Sequence, residues 1–439
     1  MNADQLNQVC YRYHLVDKPW TLSAYESIGG YQVWRRLLKE KNPGAVLEEI
    51  KKSMLRGRGG AGFSSGIKWS FMNRDMPGQK YLICNSDEGE PGTCKDTNIL
   101  LYNPHQVLEG IMITSYVIGA TVCYNYLRGE FFRHWERMEL ACQEALSAGL
   151  MGQNIQGTGF DFQCYNLLGA GSFVVGEETA MMESIEGKQA MPRYKPPFPA
   201  AKGLYGQPTT IHNTETLASV PVILEKGADW FLQQGTEKSG GTKVFCVSGH
   251  VKTPRVFEIG LGLPFRDLLD MCGGMRSHPL KAVIPGGTSM KILTADEIMD
   301  LNMDYESLQS AGSSLGSGGV IVFDESTCMV RALHYILRFY RHESCGQCTP
   351  CREGVDWLDK ILKRMITGHA KDGDVEAMLH IASQVEGKTI CAFGEAFAWP
   401  VTSFIKKFKD EFDHYEHYKT SKVEKEYGVQ AFAWETKDG

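Results

Sequence analysis

The segment Ser344-Cys345-Gly346-Gln347-Cys348-Thr349-Pro350-Cys351-Arg352 sets three cysteines at a repeat of three residues, and a fourth stands far downstream at Cys391. Any fold that uses this set must bring one tight turn and one distant loop together. Three thiolates from a single turn, with a fourth from far away, suit an iron–sulfur cube of the [4Fe–4S] kind. Structural zinc sites usually draw on two separated pairs, so a run of three argues for iron–sulfur over zinc. The bland alternative is a reduced surface loop rich in cysteine by chance. Read as a cluster site, the spacing implies one-electron transfer before any other residue is considered.

The chain has 439 residues, too many for one compact core, so two or more domains are expected. A net charge of −6 and no basic stripe speak against nucleic acid. The opening Met1–Gln8 shows neither a charged start before an apolar core nor an Arg/Ser-rich transit pattern. The longest uncharged run lies between Glu109 and Arg128 but contains Thr114, Ser115, Thr121 and Asn125. It reads as a buried helix passing into a buried strand, not a membrane span. Thirteen cysteines without a signal peptide fit a reducing cytosol better than a disulfide framework. The nine outside the cluster set, such as Cys84, Cys123 and Cys246, read as small buried hydrophobes.

Residues 1–65 look helical and loop-like, with Ala45–Met54 at helical spacing. Over 66–233 strands and helices alternate, which favours a three-layer α/β domain. Short β runs at Lys243–Val251, Val256–Ile259, Ala282–Ile284 and Val320–Phe323 make 234–326 a small β-rich α+β unit. From 327 to 439 the chain is helical. One apolar stripe runs through Val355, Leu358, Ile361, Leu362 and Met365, a second through Val401, Phe404, Ile405, Phe408 and Phe412. The charged tail after Tyr415 reads as peripheral.

Three further segments carry chemistry. Arg56–Phe63 holds a literal GxGxxG at Gly57, Gly59 and Gly62, but a helix-like stretch precedes it where a dinucleotide fingerprint needs a strand. Its glycines, Gly60 included, would leave backbone N–H groups free for phosphates, with Lys68 as a point charge; a plain flexible loop is the alternative. Asn85-Ser86-Asp87-Glu88-Gly89-Glu90 closes the Tyr81 strand, where open α/β sheets bind ligands, although a solvated acidic turn would look the same. Gly169–Ala180 reads as a strand, a glycine turn and a helix from near Glu177, whose N-terminus would favour negative charge. Lys195-Pro196-Pro197-Phe198-Pro199 is a stiff loop carrying an aromatic ring.

Together Arg56–Phe63, Gly66–Phe71, Tyr81–Asp96, Gly176–Ala180, Lys195–Pro199, Ile211–Ala218, Ser344–Arg352 and Gly387–Val401 resemble the flavin- and NADH-binding subunit of bacterial respiratory complex I. The resemblance implies a Rossmann-like FMN/NADH domain, a ubiquitin-like (β-grasp) domain and a helical bundle carrying a [4Fe–4S] cluster. It implies FMN contacts from Gly57, Gly59, Gly60, Gly62, Lys68, Asn85, Asp87, Glu88, Phe173, Gly176, Glu177, Glu178, His212, Asn213 and Thr214. NADH would meet Gly59, Phe63, Phe71, Glu90, Glu178 and Phe198, and Cys345, Cys348, Cys351 and Cys391 would ligate the cluster. A hydride would pass from NADH to FMN and electrons singly to the cluster, a step that needs alignment more than a general acid or base. The implied partners are the small [2Fe–2S] subunit and the large iron–sulfur subunit, in an assembly peripheral to the cytoplasmic side of the inner membrane.

The family commonly has Asn-Asn where this chain reads His212-Asn213, and Tyr-Ile-Cys-Gly-Glu-Glu where it reads Phe173-Val174-Val175-Gly176-Glu177-Glu178. Phe173 thus lacks a hydroxyl, and Val175 removes a thiol expected near the flavin. Two other readings stand beside this one. The diaphorase subunit of an NAD-linked hydrogenase or formate dehydrogenase shares the core chemistry. An iron–sulfur scaffold without flavin chemistry would share only the cluster.

Overall fold

A computed structural model describes residues 6–12 and 16–428. Met1–Gln5 and the last residues of the charged tail lie outside them. Four parallel strands, β1 (Tyr81–Ser86), β2 (Val122–Leu127), β3 (Gln163–Leu168) and β4 (Thr209–Asn213), lie in the order β3-β2-β1-β4. The chain moves outward from β1 through β3 and then returns to the far side of β1. The strand order therefore reverses between β1 and β4, and the carboxyl ends of these two strands border a crevice.

Alternation along the strands divides the sheet into two faces. Leu82 and Cys84 point into the large core shared with the helices Pro104–Ile118 and Thr214–Lys226. Tyr81 and Ile83 point the other way, onto a small layer with Met181, Met182, Leu204 and Ile211. This is the three-layer arrangement that the alternating pattern suggested. Helix Pro104–Ile118 is buried along its whole length, its polar residues His105, Gln106, Glu109, Thr114 and Ser115 included. It lies so close to its neighbour that a β-carbon on Gly110 would stand 1.9 Å from the Leu217 carbonyl oxygen. The earlier helices Gln32–Glu40 and Pro43–Lys52 bury Trp34, Leu37 and Ile50 in the same core.

The β-rich part forms a mixed sheet in the order β6-β5-β9-β7-β8. Its strands are β5 (Thr242–Gly249), β6 (Arg255–Gly260), β7 (Leu280–Ile284), β8 (Leu293–Thr294) and β9 (Gly319–Asp324). The two-residue β8 was too short to leave a sequence pattern. Four longer helices follow: Met329–Glu343, Thr349–Ile366, Asp374–Val385 and Phe393–Lys407. The second apolar stripe spans two helices, because Phe408 ends one and Phe412 lies in the next, Lys409–Tyr418. The described part of the tail is not peripheral: Val423 is buried, and Glu424 pairs with Arg331 at 2.6 Å. Among the described residues no helix is long and apolar enough to cross a membrane.

Two local readings are corrected. Phe173–Gly176 is a short 3-10 turn, not a strand; the strand before it, β3, ends at Leu168. All thirteen cysteines are free thiols, but Cys94 is exposed, against the expectation that every cysteine outside the cluster set is buried.

Candidate functional site

A cavity of about 330 Å³ opens at the crevice between β1 and β4, within the range of small-molecule and cofactor sites. Gly59, Gly60, Asn85, Asp87, Glu88, Glu90, Phe173, Gly176, Glu177 and Asn213 all line it. Ten of the positions expected to hold FMN or NADH thus meet in one place, from four separate chain segments.

Asn213 ends β4 and caps the next helix, its Oδ1 accepting the Glu215 N–H at 3.0 Å. Asn85 lies near the end of β1, and its Nδ2 donates to the Gly176 carbonyl at 2.9 Å, fixing the 3-10 turn against the strand end. Asp87 turns inward with its Oδ2 buried and unpartnered. Burial pushes its carboxyl up to about 7, with Arg128 opposing. Glu177 caps the helix Glu178–Ile185, accepting the N–H groups of Thr179 and Ala180 at 2.8 and 2.9 Å.

Several expected contacts have internal partners instead. The Glu88 carboxylate accepts the N–H groups of Lys95, Asp96 and Thr97 at 2.7, 2.9 and 3.2 Å, so it caps the helix Lys95–Tyr102. Glu90 accepts from the Ser289 N–H and hydroxyl, both at 2.7 Å, tying the acidic loop to the β-rich part. Burial nevertheless raises its carboxyl to about 7, against those bonds. His212 is buried with its Nε2 accepting from Trp69 Nε1 at 2.7 Å, outside the cavity wall. Burial, helped by Lys68, holds it neutral. Thr214 shares a 2.7 Å hydroxyl contact with Ser86 and is likewise buried behind the wall.

Val175 packs in the small apolar layer, so a thiol at that position would not face the cavity; Val174 does. The Phe173 ring meets Phe339, Phe393 and Tyr340 at centroid distances of 5.3, 5.8 and 6.1 Å. It therefore joins the α/β part to the helical bundle, and its missing hydroxyl costs the site nothing visible.

Gly57 and Gly62 shape the loop rather than the wall. The Gly57 N–H donates to the Phe63 carbonyl at 2.8 Å, and Gly62 takes a φ of 63°. Lys68 lies beyond the wall, where its Nζ meets Glu178 Oε2 at 3.2 Å; Lys195 meets Glu178 Oε1 at 2.7 Å. Burial alone would raise Glu178, but the two lysines outweigh it and hold the carboxylate below its ordinary value. Phe63, Phe71 and Phe198 are exposed, and the first two lie 6.1 Å apart.

Sequence reasoning missed the buried pair Lys95 and Asp96, both in the cavity wall. Lys95 Nζ donates to Asp96 Oδ1 at 2.7 Å and Asn213 Oδ1 at 3.0 Å, and stands 3.3 Å from Glu215. Burial would lower this lysine, but Asp96, Glu215 and Glu88 prevail and keep it charged. Two charges opening the otherwise uncharged helix Lys95–Tyr102 were the available signal. Glu395 and Trp399 also reach the cavity, and their spacing of four places them on one helix face.

Cys345, Cys348, Cys351 and Cys391 together line a second, small pocket. Cys348 caps the helix Thr349–Ile366, and Cys391 stands just before the helix Phe393–Lys407. Two helix N-termini therefore flank the sulfurs and favour negative charge there. The Ile390 N–H also points at Cys348 Sγ, at 3.4 Å. Burial raises the Cys351 thiol to about 11 and the Cys391 thiol to about 12, so ligation of iron would release protons. Cys391, Val174 and Phe393 line both the small pocket and the main cavity.

The residues present fit a flavin mononucleotide and a cluster. The main cavity offers an unpartnered buried acceptor at Asp87, side-chain-free approaches at Gly59 and Gly60, and a buried cation at Lys95. The small pocket is lined by all four cysteines. Fold and site thus define a flavin- and iron–sulfur-bearing oxidoreductase.

The comparisons agree. The Nuo51 FMN-binding domain matches residues 50–222, the SLBB domain 244–293, and the NADH-ubiquinone oxidoreductase-F iron–sulfur binding region 331–415. The F subunit of NADH-quinone oxidoreductase in Rickettsia typhi is 49% identical over 381 residues, covering 86% of this chain and 90% of that protein. Its counterpart of the same name in Rickettsia bellii is 48% identical over 395 residues, covering 89% and 94%. A solved NAD+-reducing [NiFe]-hydrogenase in its H2-reduced state is 32% identical with a TM-score of 0.81, covering 91% of this chain and 66% of that one. The chain belongs to the family of NADH-quinone oxidoreductase F subunits, with an FMN-binding domain and a [4Fe–4S] region. The hydrogenase shares the fold at lower identity, so the sequence relatives favour the complex I reading over the hydrogenase one.

Proposed function

We propose that this chain is the electron-input subunit of an NADH:quinone oxidoreductase, taking a hydride from NADH and delivering electrons singly to its cluster. The observation that carries this is the wall shared by the two cavities: Cys391, Val174 and Phe393 border both. A flavin in one and a cluster in the other would be separated by little more than these side chains. FMN, when bound, supplies the change from two-electron to one-electron chemistry.

The protein's part is binding and orientation. Gly59 and Gly60, on a loop shaped by Gly57 and Gly62, present backbone to the phosphate side, where Asn213 and Lys95 close the cavity. Asp87 offers its free oxygen to the flavin or its ribityl chain, beside Asn85 and Gly176. Glu177 and Glu178, bracketed by Lys68 and Lys195, order the mouth where the nicotinamide arrives. Phe63, Phe71 and Phe198 give the adenine end exposed rings to stack on. Glu88, Glu90 and Phe173 line the same cavity while bracing its wall, and His212 and Thr214 act behind it as supports. The proposed division places the flavin domain at 66–233, the SLBB-containing domain at 234–326 and the cluster bundle at 327–439.

The test is the spectrum and the electron paramagnetic resonance of the protein with FMN and iron loaded, before and after NADH, beside a Cys391→Ser variant. In the parent, NADH should bleach the flavin bands and produce a reduced-cluster signal. In the variant the bleaching should persist and the cluster signal should be lost or altered. A parent that binds the cluster but neither FMN nor NADH would overturn the proposal in favour of the scaffold reading. The partners proposed are the small [2Fe–2S] subunit and the large iron–sulfur subunit, in an assembly on the cytoplasmic side of the inner membrane. Co-purification with both on co-expression is the expected outcome.

A further inference from the structure

Cys94 and Cys246 belong to different parts of the fold, yet they touch. Cys94 precedes the helix Lys95–Tyr102 as its N-cap and is exposed. Cys246 sits in the middle of β5 and is 2% exposed. The Cys94 backbone N–H donates to Cys246 Sγ at 3.3 Å, and the two thiols also interact with each other. The remaining thiols outside the cluster set, including the neighbouring Cys123, Cys142 and Cys164, are buried. An exposed thiol backed by a buried one is therefore peculiar to this pair among them.

The chemistry of the two sulfurs is unequal. The contact with Cys246 lowers the Cys94 thiol below its ordinary value, while burial and the Glu88 carboxylate oppose this. Cys246 is raised, through the same contact and through burial. One cysteine is thus exposed and ionises more readily than an ordinary thiol, and the other is buried and ionises less readily. That division suits an attacking and a resolving cysteine.

We propose that Cys94 and Cys246 are a peroxide-oxidisable dithiol that closes to a disulfide between the flavin domain and the SLBB-containing domain. The Cys94 thiolate attacks one oxygen of hydrogen peroxide and the O–O bond breaks. This leaves a sulfenic acid on Cys94 and a hydroxide that takes up a proton as water. The Cys246 sulfur then displaces hydroxide from Cys94, and the thiol proton leaves with it as a second water. Two thiols and one peroxide give one disulfide and two waters, with two electrons passing from sulfur to oxygen. The bond would tether the cavity wall, because Thr93, Lys95 and Asp96 on either side of Cys94 all line the main cavity. The inference does not depend on what that cavity holds.

The test uses the full chain with its cofactors, exposed to hydrogen peroxide, denatured with excess N-ethylmaleimide, digested and analysed by mass spectrometry. The expected product is a peptide pair joined through Cys94 and Cys246, two hydrogens lighter than its parts and separated by dithiothreitol. Alkylation of Cys94 should fall about tenfold with peroxide and return on reduction. In Cys246→Ser the sulfenic acid should persist and be trapped on Cys94 by dimedone; Cys246→Ala serves if the serine variant folds poorly. Overturning results would be Cys94 still open to alkylation after peroxide, Cys94 joined to another cysteine, or Cys94 over-oxidised in the parent with no link to Cys246.

Discussion

Gly59 and Asn213 approach so closely that a β-carbon on the glycine would stand 3.1 Å from Asn213 Cβ. Asn213 cannot retreat freely. Its Oδ1 caps a helix and accepts from Lys95, and its Nδ2 donates to Asp96 Oδ2 at 2.7 Å. Gly59→Ala should therefore leave the fold intact but displace the cavity wall, at a strain of about 1–3 kcal/mol. If most of that strain falls on the bound state, FMN affinity drops roughly tenfold or more. Flavin retained after gel filtration, measured by absorbance against protein, checks this. Equal retention in both proteins would place the phosphate end elsewhere.

Lys95 is fully enclosed, with carboxylates on more than one side. Replacing it with methionine keeps the volume but strands Asp96 and part of Glu215 without their cation. Breaking a buried pair from one side costs about 3–5 kcal/mol. Urea denaturation of the flavin-free protein should show a loss of that order in Lys95→Met. The double variant Lys95→Met/Asp96→Asn should recover part of it, because the stranded charge is gone. Additive losses would mean that the two residues do not act as a pair.

Much of this architecture was legible because it rests on short-range rules. Tyr81–Asn85 announced β1 through its apolar run, and the CxxCxxC spacing announced the cluster turn. What stayed hidden was mostly the orientation of side chains set by distant contacts. Nothing local says that Glu88 will cap the helix at Lys95, or that Glu90 will be taken by Ser289 of another domain. His212 looked like a variant ligand position, but strand alternation turns it toward Trp69. Phe173–Gly176 looked like a strand because Phe-Val-Val has the right composition. The asparagine bond from Asn85 and the cap at Glu177 hold it instead as a tight turn. Lys95 escaped notice because, Asp96 aside, its partners come from β4 and the helix after it, more than a hundred residues away.

Asp87 makes the flavin-free protein pH-sensitive in a definite direction. Its folded-state carboxyl is raised by burial to about 7, against 3.8 for the ordinary group. The protonated form is the one the fold accepts, so the stability it allows is fully present below about pH 4 and is lost as pH rises through about 7. Glu90 behaves in the same sense, also from burial. Thermal midpoints of the flavin-free protein should fall between about pH 5 and about pH 8, and fall less steeply in Asp87→Asn. The Glu90 contribution remains in both proteins, so some slope should survive. Parallel curves would show that Asp87 ionises without penalty.

Phe173 packs between the flavin site and the cluster bundle. Its ring packs against Phe339, Tyr340 and Phe393, and its N–H donates to Glu343 Oε2 at 2.9 Å. Phe393 in turn lines both cavities. Phe173→Ala keeps the backbone bond but empties the ring's place, at a cost of about 2–4 kcal/mol for a half-buried aromatic. The space would open between the flavin cavity and the cluster pocket, where water and oxygen gain access. The cluster's visible absorbance should therefore decay faster in air in this variant, while Phe173→Leu, which refills much of the volume, should lie between the two. Phe173→Tyr should decay as the parent does if only the apolar packing matters. A cluster equally stable in air in all four proteins would show that Phe173 joins the domains without shielding the iron.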